Sequence, residues 1–136
     1  MSRSLASTSD SSIFFDANIL LEVVLGRDKE LLARSLLEKH TGTICISALS
    51  AHLVTHFGQA VVTFPVLRKF LSDYTVLDLK AVDFEWAFTN IRNNDFEDAL
   101  QIAVAVRNGC SDFITFDAAL ASAYKDLPSI KVQLAK

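Results

Sequence analysis

Four aspartates stand where carboxylates can do chemistry together. Asp16 directly follows the apolar run Ile13-Phe14-Phe15, and Asp117 follows Phe113-Ile114-Thr115 after one intervening residue, Phe116. Asp95 and Asp98 open the segment Asp95-Phe96-Glu97-Asp98, which continues into Leu100, Ile102, Ala103, Val104 and Val106. Residues three apart share a helix face, so Asp95 and Asp98 project together. Glu97 is turned roughly 100° from Asp98 and is the poorer partner for a common ligand. Carboxylates gathered at one place repel one another unless a hard cation neutralises them, and an oxygen donor set suits Mg²⁺ or Mn²⁺. Each acid also has a purely structural use. Asp95 can be an N-cap, with Asp98 at the third helical position completing a capping-box-like pair that suits the helix dipole. Asp16 resists that explanation most, because a carboxylate abutting so apolar a strand is costly unless it is compensated.

The elements that must position these acids are short strands alternating with helices. A buried strand at 13–15 leads into a helix over 19–25 that stops at Gly26. Asp28 is the expected cap of a second helix, carrying Leu31, Leu32 and Leu36 and finishing near His40. Residues 43–46 form a second strand, and Ser47 caps a helix with Leu49, Leu53, His56 and Phe57 on neighbouring turns, ended by Gly58. Residues 59–72 divide at Pro65, which fits only a helix start or a kink. A third strand is expected at 75–77, helices at 81–90 and 95–107, a fourth strand at 113–115 and a weaker one at 130–133. No internal repeat is present. Strands separated by helices call for a parallel sheet covered on both faces, whose ligands bind beyond the carboxyl ends of the strands. Asp16 and Asp117 occupy those ends.

A chain of 136 residues, 51% hydrophobic, is sized for one core. One domain over 13–136 is expected, preceded by a flexible Ser-rich tail over 1–12. Cys45 and Cys110 form no CxxC or Cys/His cluster, so they are read as reduced core thiols of a cytoplasmic protein. No apolar stretch approaches the about 18 residues that span a bilayer, and the first residues lack the apolar segment of a secretory signal, so a soluble, unexported protein is expected. The net charge of −3 gives no global attraction to nucleic acid, and any such contact must be local. Arg27, Lys29, Arg34, Lys39, Arg68, Lys69, Arg92 and Arg107 are the candidate cations, scattered as on solvated helix faces.

FFDANILL with Asp16, DFEDALQIAVAVRNG with Asp98 and FITFD with Asp117 resemble, in order, spacing and placement, the acidic motifs of PIN-domain nucleases. The resemblance runs from Ile13 to about Leu120. It implies a three-layer α/β/α sandwich around a central parallel sheet, and metal-dependent hydrolysis of RNA phosphodiesters. It also implies a VapC-like toxin neutralised by an antitoxin protein, with a homodimer as the expected assembly. In that light Asp16, Asp98 and Asp117 are the catalytic set, and with Asp95 they hold Mg²⁺ or Mn²⁺. Asn18 and Thr115 are candidates to hydrogen-bond the ligands, although Asn18 can equally cap the first helix and Thr115 can merely end a strand. One departure stands out: family members commonly carry a glutamate on the helix after the second strand, and the matching position here holds His52. His52 can contact metal or phosphate, or be an ordinary half-buried histidine, and Asp95 or Glu97 can partly replace the lost carboxylate.

Two other classes compete. A catalytically weakened RNA- or protein-binding module of the same fold would bind metal without cleaving. A phosphotransferase of the haloacid-dehalogenase or receiver kind also places aspartate after its first strand, but the former requires a second aspartate where Asn18 stands and the latter an acidic pair before its phosphorylated residue. Neither pattern is met.

Overall fold

A computed structural model describes residues 12–136. The expected tail therefore lies outside the described residues except for Ser12, whose carbonyl accepts the Ser111 N–H. Five strands form one sheet in the order β3-β2-β1-β4-β5: β1 (Ile13–Phe15), β2 (Ile44–Ser47), β3 (Thr75–Leu77), β4 (Asp112–Thr115) and β5 (Lys131–Leu134). All four pairings are parallel. Seven helices cover the sheet: α1 (Ala17–Val24), α2 (Glu30–Lys39), α3 (Ala48–Gly58), α4 (Phe64–Leu71), α5 (Ala81–Asn90), α6 (Phe96–Arg107) and α7 (Ala118–Ala123). The α/β/α sandwich is thus the one expected from the sequence.

The period of two along each strand divides the core. Phe14, Cys45, Phe113 and Val132 face Ile102, Leu120 and Tyr124 on one side of the sheet. Phe15, Ile44, Ile46 and Ile114 face Ile19, Leu20, Val54 and Leu67 on the other. β1 and β4 lie at the centre, where Phe15 is in register with Ile114. Their next residues leave the sheet at the same edge, and this brings Asp16 and Asp117 together.

Two local expectations are corrected and two features were not anticipated. Lys29, not Asp28, precedes α2, and its N–H is held by the Glu22 carboxylate at 2.8 Å. The buried stripe of α3 is Ser50, Val54 and Gly58, leaving Phe57 48% exposed. Small residues win that face because the neighbours come so close: a Cβ on Gly58 would lie 2.7 Å from a Leu67 methyl and 2.9 Å from one of Val24. The helix α7 was not foreseen, since AALASA carries no apolar period. The 130–133 strand is shifted by one residue and is a full parallel partner of β4.

An ion pair fixes α5 to α6. Asp83 is 1% exposed, and its two oxygens receive the Arg107 guanidinium at 2.7 and 2.9 Å. The same carboxylate accepts the Lys80 N–H at 2.8 Å, and Arg107 also donates to the Asp78 carbonyl at 2.7 Å. Removing the buried partner would strand the other polar groups, so Asp83→Ala should lower unfolding free energy by about 2–4 kcal/mol in urea titration. A loss below about 0.5 kcal/mol, the size of an ordinary surface change, would show the pair to be dispensable.

Candidate active site

The site is built from the ends of β1 and β4 and the first turn of α6. Asp16 is the residue before α1, yet its side chain makes no cap hydrogen bond. Its carboxylate is 7% exposed and accepts the Thr115 hydroxyl at 2.7 Å. The same Thr115 oxygen accepts the Asp117 N–H at 3.0 Å. Thr115 therefore does more than end a strand: it ties the two aspartate-bearing strand ends together. Asn18, the second residue of α1, does not cap that helix. Its amide instead reaches across to Thr115 and to the Phe116 N–H, both at 3.5 Å.

Asp98 is 9% exposed and accepts the Asn93 amide at 3.0 Å. Asp95 is the N-cap of α6, taking the Asp98 N–H at 3.3 Å. The reciprocal arm of a capping box is not made by Asp98, because the Asp95 N–H goes to Asn93 at 3.2 Å. Asp98 is thereby left to face the other acids. Asp117 also has a structural task, accepting the Ala119 and Leu120 N–H groups at 2.9 and 3.1 Å at the head of α7. Sequence reasoning missed Asn93 and Tyr124, whose hydroxyl lies 3.4 Å from the Asn93 oxygen across 31 residues of chain. Only the DFEDAL segment itself hinted at that neighbourhood.

The acids sense one another. Burial pushes the Asp16 carboxyl up to about 6, the Thr115 and Ala17 hydrogen bonds oppose this, and the Asp117 and Glu97 charges add to it. Burial also pushes Asp98 up to about 7, reinforced by Asp95, Asp16 and Asp117 and opposed by Asn93. Glu97 is raised by burial and then by Asp95, and its charge reaches Asp16 despite its poor position on the helical wheel. Among the described residues no three acidic, histidine or cysteine side chains converge closely enough to hold a metal ion as they stand. Each acid is engaged by hydrogen bonds of the protein: Asp16 by Thr115, Asp95 by the Asp98 N–H, Asp98 by Asn93 and Asp117 by the first N–H groups of α7. The donor chemistry nevertheless fits a hard divalent cation, because the two buried carboxylates Asp16 and Asp98 have negative neighbours and, among the described residues, no salt bridge.

His52 is exposed rather than half-buried. It lies two residues, or roughly 200° of helix, from the inward Ser50. Its ring stacks on His56 with centroids 5.9 Å apart. The seam between α3 and α6 is filled by a neutral buried network, in which Ser47 donates to Gln101 at 2.6 Å and Gln101 donates to Ser50 at 2.9 Å.

The chain belongs to the PIN domain family, whose model matches residues 13–126. A search of curated proteins finds no match. Among solved structures, a toxin–antitoxin complex from Klebsiella pneumoniae aligns with a TM-score of 0.75 at 20% identity, covering 92% of this chain and 98% of that one. A DNA-bound VapBC from Salmonella typhimurium gives 0.65 at 18%, covering 93% and 99%. The Mycobacterium tuberculosis VapC20, a sarcin-ricin loop cleaving toxin, gives 0.65 at 19%, covering 82% and 95%. At these identities the likeness is one of fold.

Two expected outcomes follow. Asp16 and Asp98 hold protons more tightly in the folded chain than at their ordinary value of 3.8, so the stability from this source is complete below about pH 4 and is lost as pH rises through 6 and 7. In EDTA, Asp98→Asn should therefore melt above the wild type at pH 8, with the gap closing by pH 5; a variant melting lower at pH 8 would contradict the electrostatic account. His52→Glu, on an exposed helix face, should shift stability by no more than about 0.5 kcal/mol and leave Mn²⁺ affinity unchanged by calorimetric titration. A marked gain in affinity would place position 52 among the metal ligands.

Proposed function

We propose that the protein is a metal-dependent endoribonuclease, the toxin of a toxin–antitoxin pair. The observation that carries this reading is the set of buried, mutually repelling carboxylates at the carboxyl ends of the two central strands and the head of α6. Asp16, Asp98 and Asp117 would hold Mg²⁺ or Mn²⁺, with Asp95 completing the acidic shell. Bound there, such an ion lowers the pKa of an attacking water and offsets charge on the scissile phosphate. The protein's own contribution is positional. Thr115 orients Asp16, Asn93 orients Asp98, and Asn18 steadies the Thr115 strand end. His52, on the outer face of α3, enters only as a supporting contact for substrate. Because Asp16 and Asp98 are raised, ion binding must displace protons, and affinity should climb between pH 5 and 7.

The partners are proposed with the function: an RNA substrate, an antitoxin protein and a second copy of the chain. Support comes from the PIN family match and from the solved toxin–antitoxin complexes of like fold. No described helix is long and apolar enough to cross a membrane. A cytoplasmic location, with residues 13–136 acting as one domain, belongs to the same reading. A second reading, a binding module that has lost cleavage, is favoured by one observation: α3 presents His52 outward and a neutral Ser50–Gln101 network inward, so it adds no carboxylate to the cleft.

Protein purified away from any partner should cleave members of a panel of single-stranded and structured RNAs with Mg²⁺ or Mn²⁺ and be silent in EDTA. Asp16→Asn should reduce kcat by about 100-fold or more, the scale of losing an electrostatic element of the reaction. RNA binding that depends on metal, with no cleavage of any RNA, would replace the nuclease with the binding module.

A further inference from the structure

A polyanion approaching this cleft meets carboxylates on a protein of net charge −3, so cations near the cleft must recruit it. Several basic residues are already committed to acids: Arg27 to Glu22, Arg34 to Glu30, Lys80 to Asp78 and Arg107 to Asp83. Lys29 and Arg92 are exposed and have no ion pair among the described residues. Both are nonetheless anchored in the walls of the site.

On one wall, the Lys29 ammonium lies 5.0 Å above the centre of the Phe116 ring. Phe116 stands between Thr115 and Asp117, and the loop that delivers Lys29 is pinned by the Glu22 carboxylate on its N–H at 2.8 Å. On the other wall, the Arg92 N–H donates to the Tyr124 hydroxyl at 3.1 Å. That hydroxyl meets Asn93, and Asn93 donates to Asp98 at 3.0 Å. The Tyr124 phenol is raised chiefly by burial, and it feels the Asp98 and Asp95 carboxylates and the Arg92 guanidinium together, so these charges share one neighbourhood. Lys29 is therefore held against the residue that precedes Asp117, and the Arg92 main chain is linked through Tyr124 and Asn93 to Asp98.

We propose that Lys29 and Arg92 are a two-sided phosphate clamp that seats a single RNA strand across the acidic cleft, each taking a phosphate flanking the one between the carboxylates. The clamp rests on the reading of the cleft as an RNA site. Lys29 acts as a point charge steered by the Phe116 ring, whereas Arg92 offers a planar fork that can grip phosphate oxygens in pairs. Neither residue touches the acids, so the pair serves substrate affinity rather than metal affinity.

The test measures binding of a fluorescein-labelled oligouridylate by anisotropy across a salt series, with Ca²⁺ present. Lys29→Ala and Arg92→Ala should each weaken binding about fivefold, a charge-assisted contact discounted for exposure. Each should also lower the slope of log affinity against log salt by about 0.7, the value for one phosphate of a single strand. Lys29→Arg and Arg92→Lys should retain most of the slope. Lys131→Ala, an exposed cation at the opposite end of the sheet, should leave the slope unchanged. Equal slopes in wild type and both alanine variants, an equal loss in Lys131→Ala, or no binding by the wild type would each overturn the clamp. Mg²⁺-dependent cleavage with unchanged slopes would sink the clamp and spare the nuclease. Binding that depends on Lys29 and Arg92 without cleavage would do the reverse.

Discussion

The register of β1 against β4 governs the molecule. Once Phe15 lies opposite Ile114 in the middle of a parallel sheet, the chain must deliver Asp16 and the Thr115-Phe116-Asp117 turn to the same edge. The Thr115 hydroxyl then closes the arrangement by donating to Asp16 and accepting from Asp117. A slip of one residue would turn Phe14 and Phe15 to the wrong faces and separate the acids, so core packing and site assembly are enforced by the same constraint.

Much of this was legible in the chain because central parallel strands are short, apolar and sharply bounded. Ile13-Phe14-Phe15 and Phe113-Ile114-Thr115 announce themselves, and the acids directly beyond them are read from position alone. Contacts remote in sequence left no such trace. Nothing in Asn93 or Tyr124 signals their meeting, and Cys45 and Cys110, far apart along the chain, lie in one core cluster. The buried face of α3 was not legible from its large apolar residues, because close packing against Leu67 and Val24 demands the small side chains of the Ser50, Val54, Gly58 spacing. The helix α7 escaped because it owes its start to the Asp117 cap and not to an apolar period.

The aspartates carry two kinds of work, and the structure separates them by burial. Asp95 and Asp117 cap helices with one oxygen, a role that fixes the heads of α6 and α7. Asp16 and Asp98 cap nothing, are buried, and are driven toward the protonated form by desolvation and by their neighbours. Buried carboxylates so placed store electrostatic strain that protons relieve at low pH and that a divalent cation would relieve at neutral pH.

For the proposed nuclease, that strain also sets the problem of substrate entry. Carboxylates sufficient to attract a cation repel a phosphate chain, and cations placed among them would pair with the acids and abolish the site. The molecule holds its ion-paired Arg107 away from the cleft, locking α5 to α6 against Asp83, while Lys29 rests on an aromatic face and Arg92 hangs from a backbone hydrogen bond. A cation held by a ring or by its own main chain keeps its charge available, whereas one held by a carboxylate does not. In the proposed RNA site, these two positive groups stand on the loops before α2 and α6, whereas the acids are fixed to the sheet and the helix heads.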